Sequence, residues 1–174
     1  MNLTFHAAHR IAWLAASLIG ISSIAAADEN LLLRPQMQFL PENSIGITLD
    51  DALRIRDKDA NTAAVIDIKK GEPIEIAFGF SGETVTPKRF RVKATGLPKD
   101  SVLLELLVSD QSAESGYLTL RDQPLRGSDS WQSYQFEPVA AKWMIVKIST
   151  FGEPVQFNVN ELEVIGDAGA SSNA

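Results

Sequence analysis

The residues best suited to chemistry fall in two segments far apart in the chain. Asp57-Lys58-Asp59-Ala60-Asn61-Thr62 precedes the run Ala63-Ala64-Val65-Ile66-Asp67-Ile68, and Glu161-Leu162-Glu163-Val164-Ile165-Gly166 closes everything that looks folded. The first is an acidic loop at the entrance to a β-rich region. The second is a last strand with a carboxylate at its start. A β-sandwich that joins its first and last strands would bring these carboxylates side by side. Like charges that close repel unless a cation lies between them, which points to calcium.

Other chemistry is excluded by what the chain lacks. Its two histidines, His6 and His9, lie near the N-terminus, and it has no cysteine. If the N-terminal segment is removed, Ser-His and Cys-His nucleophiles, His-based metal hydrolysis and most structural zinc sites go with it. Carboxylate-pair catalysis needs two marked acids. Nothing marks such a pair beyond the residues above, so no enzyme is expected.

The N-terminus indicates the compartment. His6, His9 and Arg10 form a weakly basic start, Ile11 to Ile24 is apolar apart from Ser and Gly, and Ala25-Ala26-Ala27 precedes Asp28-Glu29. This is the pattern of a secretory signal peptide over residues 1–27, cleaved after Ala27. The apolar run is about 14 residues, short of the roughly 20 that span a bilayer. An exported, periplasmic or extracellular protein is expected, with no transmembrane segment after cleavage. The remainder is the size of one domain. With 16 Lys and Arg against 22 Asp and Glu the chain carries a net charge of −6, which makes it a poor partner for nucleic acid or anionic lipid.

The elements that must position the acids are strands. Ile74, Ile76, Phe78 and Phe80 alternate with Glu75, Ala77 and Gly79, and Phe90, Val92 and Ala94 alternate with Arg89, Arg91 and Lys93. Val102 to Val108, Tyr134 to Pro138, Met144 to Ile148 and Phe157 to Val164 continue the period of two. Turn residues such as Lys70-Gly71, Ser81-Gly82, Gly96-Leu97-Pro98 and Phe151-Gly152-Glu153-Pro154 separate the runs. The pattern predicts an all-β antiparallel sandwich or jelly roll over residues 45–166. Residues 28–44 read as an N-terminal arm, 49–56 as a helical turn or an edge strand, and 167–174 as a disordered tail. In the last strand Phe157 and Val159 place odd positions inward, whereas Leu162 and Val164 place even ones inward. The parity changes at Asn160-Glu161, the signature of a β-bulge that would re-aim Glu161.

Four segments, in order, resemble the discoidin domains, also called coagulation-factor type C domains. Asp57-x-Asp59-x-x-Thr62 is similar to the family's D-G-D-x-x-T entrance, and Ser109-Asp110 to its S-x-D-G turn. Trp131-Gln132-x-Tyr134-x-Phe136-x-Pro138-Val139-x-Ala141-Lys142-Trp143 is similar to W-x-x-F-x-F-x-P-V-x-A-R-Y, and Glu161 to Gly166 to E-L-E-V-Y-G. The resemblance implies a galactose-binding-like jelly roll of about eight strands. It also implies one structural calcium held by Asp57, the Asp59 main chain, Thr62 and Glu161, chemistry that suits a cation taking roughly six to eight oxygens. Lys58 stands in place of the usual Gly and Ala64 in place of the usual Trp. The Lys58 ammonium offers an alternative to metal as the loop's neutralising charge.

The resemblance further implies ligand binding through loops opposite the calcium. A pyranose has one apolar face and a rim of hydroxyls, so a sugar site needs an aromatic platform beside fixed polar groups. Tyr117 follows the loop Ser112-Ala113-Glu114-Ser115-Gly116, and Trp131 follows Gly127-Ser128-Asp129-Ser130. These are the candidate ligand-binding residues, with a core-capping ring the competing reading for Trp131. Arg121 and Arg126 flank Leu125, the kind of pattern the family uses on phospholipid, but the acidic chain ranks that last. The expectation is a non-catalytic binding module for carbohydrate. The alternative is an envelope protein that uses the same sandwich for protein–protein contact or assembly.

Overall fold

A computed structural model describes residues 28–99 and 101–168. The expected signal peptide lies outside them, as does the tail beyond Ala168. The order is β1 (Glu29–Asn30), β2 (Met37–Phe39), α1 (Leu49–Arg54), β3 (Ala64–Ile68), β4 (Ile74–Phe80), β5 (Val85–Thr95), β6 (Val102–Ser109), β7 (Leu118–Pro124), β8 (Gln132–Gln135), β9 (Trp143–Thr150) and β10 (Val155–Ala168). One sheet runs β1-β10-β5-β8, with β3 also paired to β10. The other runs β2-β4-β9-β6-β7. Every strand pair is antiparallel, so the fold is the all-β sandwich that the alternation predicts.

The core lies between the two inner faces. From one sheet come Ile66, Phe90, Val92, Phe157, Leu162 and Val164, and from the other Ile76, Phe78, Leu106, Met144, Val146 and Ile148. Each such side chain contributes about 1.5–3 kcal/mol by leaving water. β4 is covered on both faces. Ala77 and Gly79 face outward from the core side chains, and Leu40 and Trp143 lie over Gly79.

The structure differs from the sequence reading at both ends. Residues 28–44 are built into the sandwich, because β1 pairs with β10 and β2 with β4. Leu31 and Leu32, in the short 3-10 turn between them, are fully buried. Asp167 and Ala168 belong to β10 and pair with Thr86 and Val85, so the strand continues past Gly166. Segment 49–54 is helix, capped by the Thr48 hydroxyl on the Asp51 amide. β7 has no sequence signal, since every one of its residues is exposed or half-exposed at a sheet edge.

The bulge falls at the position the parity change marks. Val159 pairs with Ala94 and Glu161 with Lys93, leaving Asn160 as the extra residue. A second shift follows at Gly166, where an added Cβ would overlap the Thr86 carbonyl oxygen and approach Pro87 Cα to 2.9 Å. Both neighbours are backbone and cannot rotate away. Gly166→Ala is therefore expected to cost about 1–3 kcal/mol or more in urea denaturation. Gly152→Ala, with nothing within 4 Å of the new methyl, should stay within about 0.5 kcal/mol.

Candidate functional sites

The loop between α1 and β3 is folded around its own acids. The Asp59 amide donates to Asp57 Oδ1 at 2.8 Å, and the Asn61 amide donates to Asp59 Oδ1 at 3.0 Å. The Thr62 hydroxyl lies 2.8 Å from both Asp57 Oδ2 and the Asp59 carbonyl oxygen, with a single proton to give. Lys58 sits at φ 68°, in the left-handed region, a conformation that costs a non-glycine residue about 1–2 kcal/mol. The loop thus has the backbone shape a glycine would adopt there freely.

Asn160, which sequence reasoning passed over, anchors this loop. Its side-chain amide donates to the carbonyls of Ala60 at 3.4 Å and Thr62 at 3.3 Å, and its Oδ1 accepts from the Thr95 hydroxyl at 3.0 Å. Lys93 Nζ donates to the same Ala60 carbonyl at 3.3 Å. The parity change was the signal that could have singled out Asn160, because the extra residue of a bulge is the one whose side chain leaves the ladder.

Glu161, next to it, is 2% exposed; neither carboxylate oxygen makes a hydrogen bond of good geometry, and only the Lys58 main-chain amide comes near. Burial pushes its pKa up to about 7. The Lys58 main-chain amide acts in the opposite sense, and the charges of Asp57, Glu163 and Asp59 add to the rise. Lys58 itself is exposed and forms no ion pair among the described residues. Its ammonium therefore does not neutralise Glu161. The four residues Asp57, Asp59, Thr62 and Glu161 are neighbours in space. Among the described residues no group of three or more acidic, His or Cys side chains forms a metal cage by itself. A cation here would also need main-chain carbonyl and hydroxyl oxygens, and the Asp59 carbonyl and Thr62 hydroxyl supply them. A buried carboxylate that lacks a counter-charge, near a loop that offers such oxygens, fits a hard divalent ion.

Tyr117 and Trp131 are not brought together. Tyr117 precedes the first residue of β7 and Trp131 follows the loop beyond its last, and the groove that Trp131 lines does not include Tyr117. The Tyr117 hydroxyl donates to the Ala113 carbonyl at 3.0 Å, and burial pushes its pKa up to about 12. Ser109 and Ser112 fold the same loop through bonds to the Ser115 carbonyl and the Glu114 and Ser115 amides. Trp131 is 36% exposed and carries the Arg91 guanidinium 4.4 Å from its ring centroid, and Arg91 in turn pairs with Glu163 at 2.6 Å.

Trp131 lines an open groove of about 670 Å³ between the edge strands β7 and β8. Tyr134, Arg121 and Arg126 line it too, with serine hydroxyls and glutamine amides filling the remainder. Its floor is fixed by Gln132, 8% exposed, which accepts from the Arg126 amide at 2.8 Å and donates to the Arg126 carbonyl at 2.9 Å. The Tyr134 hydroxyl donates to Gln132 Oε1 at 2.9 Å. Burial raises the Tyr134 pKa, and the charges of Arg126 and Arg121 oppose that rise. No helix among the described residues is long and apolar enough to cross a membrane.

Known structures share this architecture. A Clostridium perfringens module, CpGH89CBM32-6, superposes with a TM-score of 0.62 at 12% identity, covering 80% of this chain and 100% of that one. Chitosan-binding module 1 of a Paenibacillus chitosanase/glucanase gives 0.56 at 21% identity, with 80% and 100% covered. The family 32 carbohydrate-binding module of AlyQ, in complex with 4,5-unsaturated mannuronic acid, gives 0.52 at 11% identity, with 70% and 90% covered. No family model matches the sequence, and no curated protein matches it. The chain has the discoidin-type, galactose-binding-like fold of the family 32 carbohydrate-binding modules.

Glu161 makes stability depend on pH in a definite direction. Between the ordinary carboxylate range and about 7 the folded chain holds a proton that the unfolded chain has released. Stability in chelator should fall as pH rises through this window, by up to about 3 kcal/mol. Melting curves of wild type and Glu161→Gln from pH 5 to 8 provide the check. The difference between the two proteins should change across the window and level off above it. A constant difference would place the Glu161 carboxyl in an ordinary, solvated setting.

Proposed function

We propose that this protein is an exported, non-catalytic carbohydrate-binding module that takes a glycan into the groove between β7 and β8. The observation that carries the reading is the groove itself. It combines two aromatic rings, the exposed Trp131 and the half-buried Tyr134, with hydroxyls, amides and guanidinium groups, and the buried Gln132 holds the Arg126 main chain and the Tyr134 hydroxyl. That combination suits a pyranose, whose apolar face stacks on a ring while its hydroxyls need fixed donors and acceptors. Solved neighbours whose names state a ligand, among them chitosan, an unsaturated mannuronic acid and galactose, support the same class. Tyr117 stands apart, its hydroxyl bonded within its own loop, and serves that loop's shape.

Trp131→Ala should weaken glycan binding by about tenfold or more, since a sugar platform of this kind acts through one ring face. It should lower the melting temperature little, because the ring is not in the core. Tyr117→Phe should leave binding unchanged. A glycan array followed by calorimetry on the hits makes the measurement. Protein–protein contact is the second reading. It draws on Leu49 and Leu53, exposed on one face of α1, and on exposed Val65 of the neighbouring β3. A clean array, with co-purification of a partner lost in Leu53→Asp, would favour it.

The second part of the proposal is a structural calcium held by Asp57, the Asp59 carbonyl, Thr62 and Glu161. The ion would supply the positive charge that the buried Glu161 lacks and tie the loop to β10. A ligand that binds only the folded state stabilises by about 2.7 kcal/mol at a hundredfold excess over its Kd. Calcium should raise the melting temperature of wild type above that in chelator, most strongly above pH 7, where Glu161 gives up its proton at least cost. Glu161→Gln should remove the difference. Identical curves in calcium and chelator at pH 8 would eliminate the metal.

A further inference from the structure

The fold leaves the charge of the glycan open, because one solved neighbour is named for a basic polymer and another holds an acidic sugar. The groove residues decide it. Arg121 and Arg126 line the groove, and none of its lining residues is acidic. The guanidinium groups of both form no ion pair or hydrogen bond among the described residues. Elsewhere, several cations of this acidic chain are paired. Arg34 lies between Glu29 and Glu83, Lys88 between Asp28 and Asp167, Arg91 on Glu163 and Lys147 on Glu105.

The arginines are also placed rather than merely exposed. Gln132 clamps the Arg126 main chain with two hydrogen bonds from a buried position. Arg121 follows directly on the bulge of β7, where Leu106 pairs with Arg121 and Leu107 with Thr119, leaving Leu120 unpaired. A bulge of this kind re-aims the side chains beside it. Both arginines line the same groove as Tyr134, and the charges of both oppose the rise of its pKa. Asp122 alternates to the other side of β7, and Asp129 does not line the groove.

We infer that the groove between β7 and β8 binds an anionic glycan, with Arg121 and Arg126 holding a carboxylate or sulfate group while Trp131 stacks on its sugar ring. This rests on the carbohydrate-binding reading above. The planar guanidinium matches either anion with paired donors, and a cationic groove on a negatively charged protein selects against other polyanion surfaces by repulsion around it.

The test is calorimetric titration of the purified full chain with polygalacturonate, dextran sulfate and neutral galactan, at low and high salt. At least one of the two polyanions should bind, more tightly than galactan, and lose affinity as salt rises. Binding of polygalacturonate alone identifies a carboxylate reader, and binding of dextran sulfate alone a sulfate reader. The double variant Arg121→Gln/Arg126→Gln should lower polyanion affinity by about tenfold or more. Arg54→Gln, on exposed α1, should not. Both groove arginines are exposed, so unchanged melting curves will show that the double variant folds. Galactan binding that equals polyanion binding, ignores salt and is lost in Trp131→Ala would overturn the charge assignment and leave the carbohydrate reading standing. Polyanion binding that survives the double variant would overturn it as well. Failure of all three polymers, and of a glycan array, would remove the carbohydrate reading and this inference together.

Discussion

β10 pairs with β5 from Asn158 to its end on one side, and on the other with β3 before the bulge and with β1 after it. Between those two partners the strand has no ladder, and its backbone amides are satisfied in other ways. The Leu162 amide donates to the Ile55 carbonyl at the end of α1, and the Val164 amide to the Asn30 side chain. Buried backbone groups must find partners, so this stretch fixes where α1 and the N-terminal segment sit. Asn30 also caps the turn that buries Leu31 and Leu32. One strand thus organises the first sheet, the helix, the N-terminal segment and the acidic loop. The bulge at Asn160 is what allows it to change partners midway.

The same bulge creates the electrostatic problem. It turns Asn160 toward the carbonyls of Ala60 and Thr62 and leaves Glu161 buried beside Asp57 and Asp59. A buried carboxylate with no counter-charge is unfavourable, and the cost falls on its charged form. Left-handed Lys58 adds backbone strain in the same loop. Two unfavourable features thus meet here, a buried carboxylate on β10 and a left-handed lysine in the loop, and the proposed cation would supply the positive charge that the first lacks. Packing alone would replace Glu161 with an apolar residue and Lys58 with glycine.

What the sequence revealed follows from which physical signals are local. The period of two in β4, β5, β6 and β9 arises because one face of each strand is buried, and it was legible directly. So was the bulge, because one extra residue inverts the parity of Phe157-Val159 against Leu162-Val164. β7 was not legible: it is an edge strand with little burial on either face, so nothing enforced alternation. β1 has two residues and β2 three, and their partners lie far along the chain, which no local pattern can announce. The two aromatics show the same limit. Tyr117 and Trp131 each follow a polar loop, yet one hydroxyl is bonded back into its loop while the other ring lines a groove. The difference depends on the edges of two sheets meeting, a tertiary fact. Gln132 sat inside a motif recognised for other reasons, and its clamp on Arg126 depends on the chain returning to β8.

Whole-chain charge is a weak guide to what a surface binds, and the outer face of the first sheet shows why. A net charge of −6 argues against polyanions only if the charges are evenly spread. On this face Glu163 of β10 is paired to Arg91 of β5, and Arg91 covers one face of Trp131 beside β8. The chain of contacts crosses three neighbouring strands and ends at the groove. The acid is neutralised within the sheet, the arginine it holds stiffens the aromatic ring, and the ring borders two further arginines with no acid among the groove residues. Coulomb interactions at protein surfaces fade over about 8–10 Å in physiological salt, so a ligand in the groove responds to these near charges and not to the distant carboxylates that set the total. Glu163 also stands two residues from Glu161 on the same strand. The stretch of β10 that shapes the acidic loop therefore also holds, through Arg91, the ring that borders the groove.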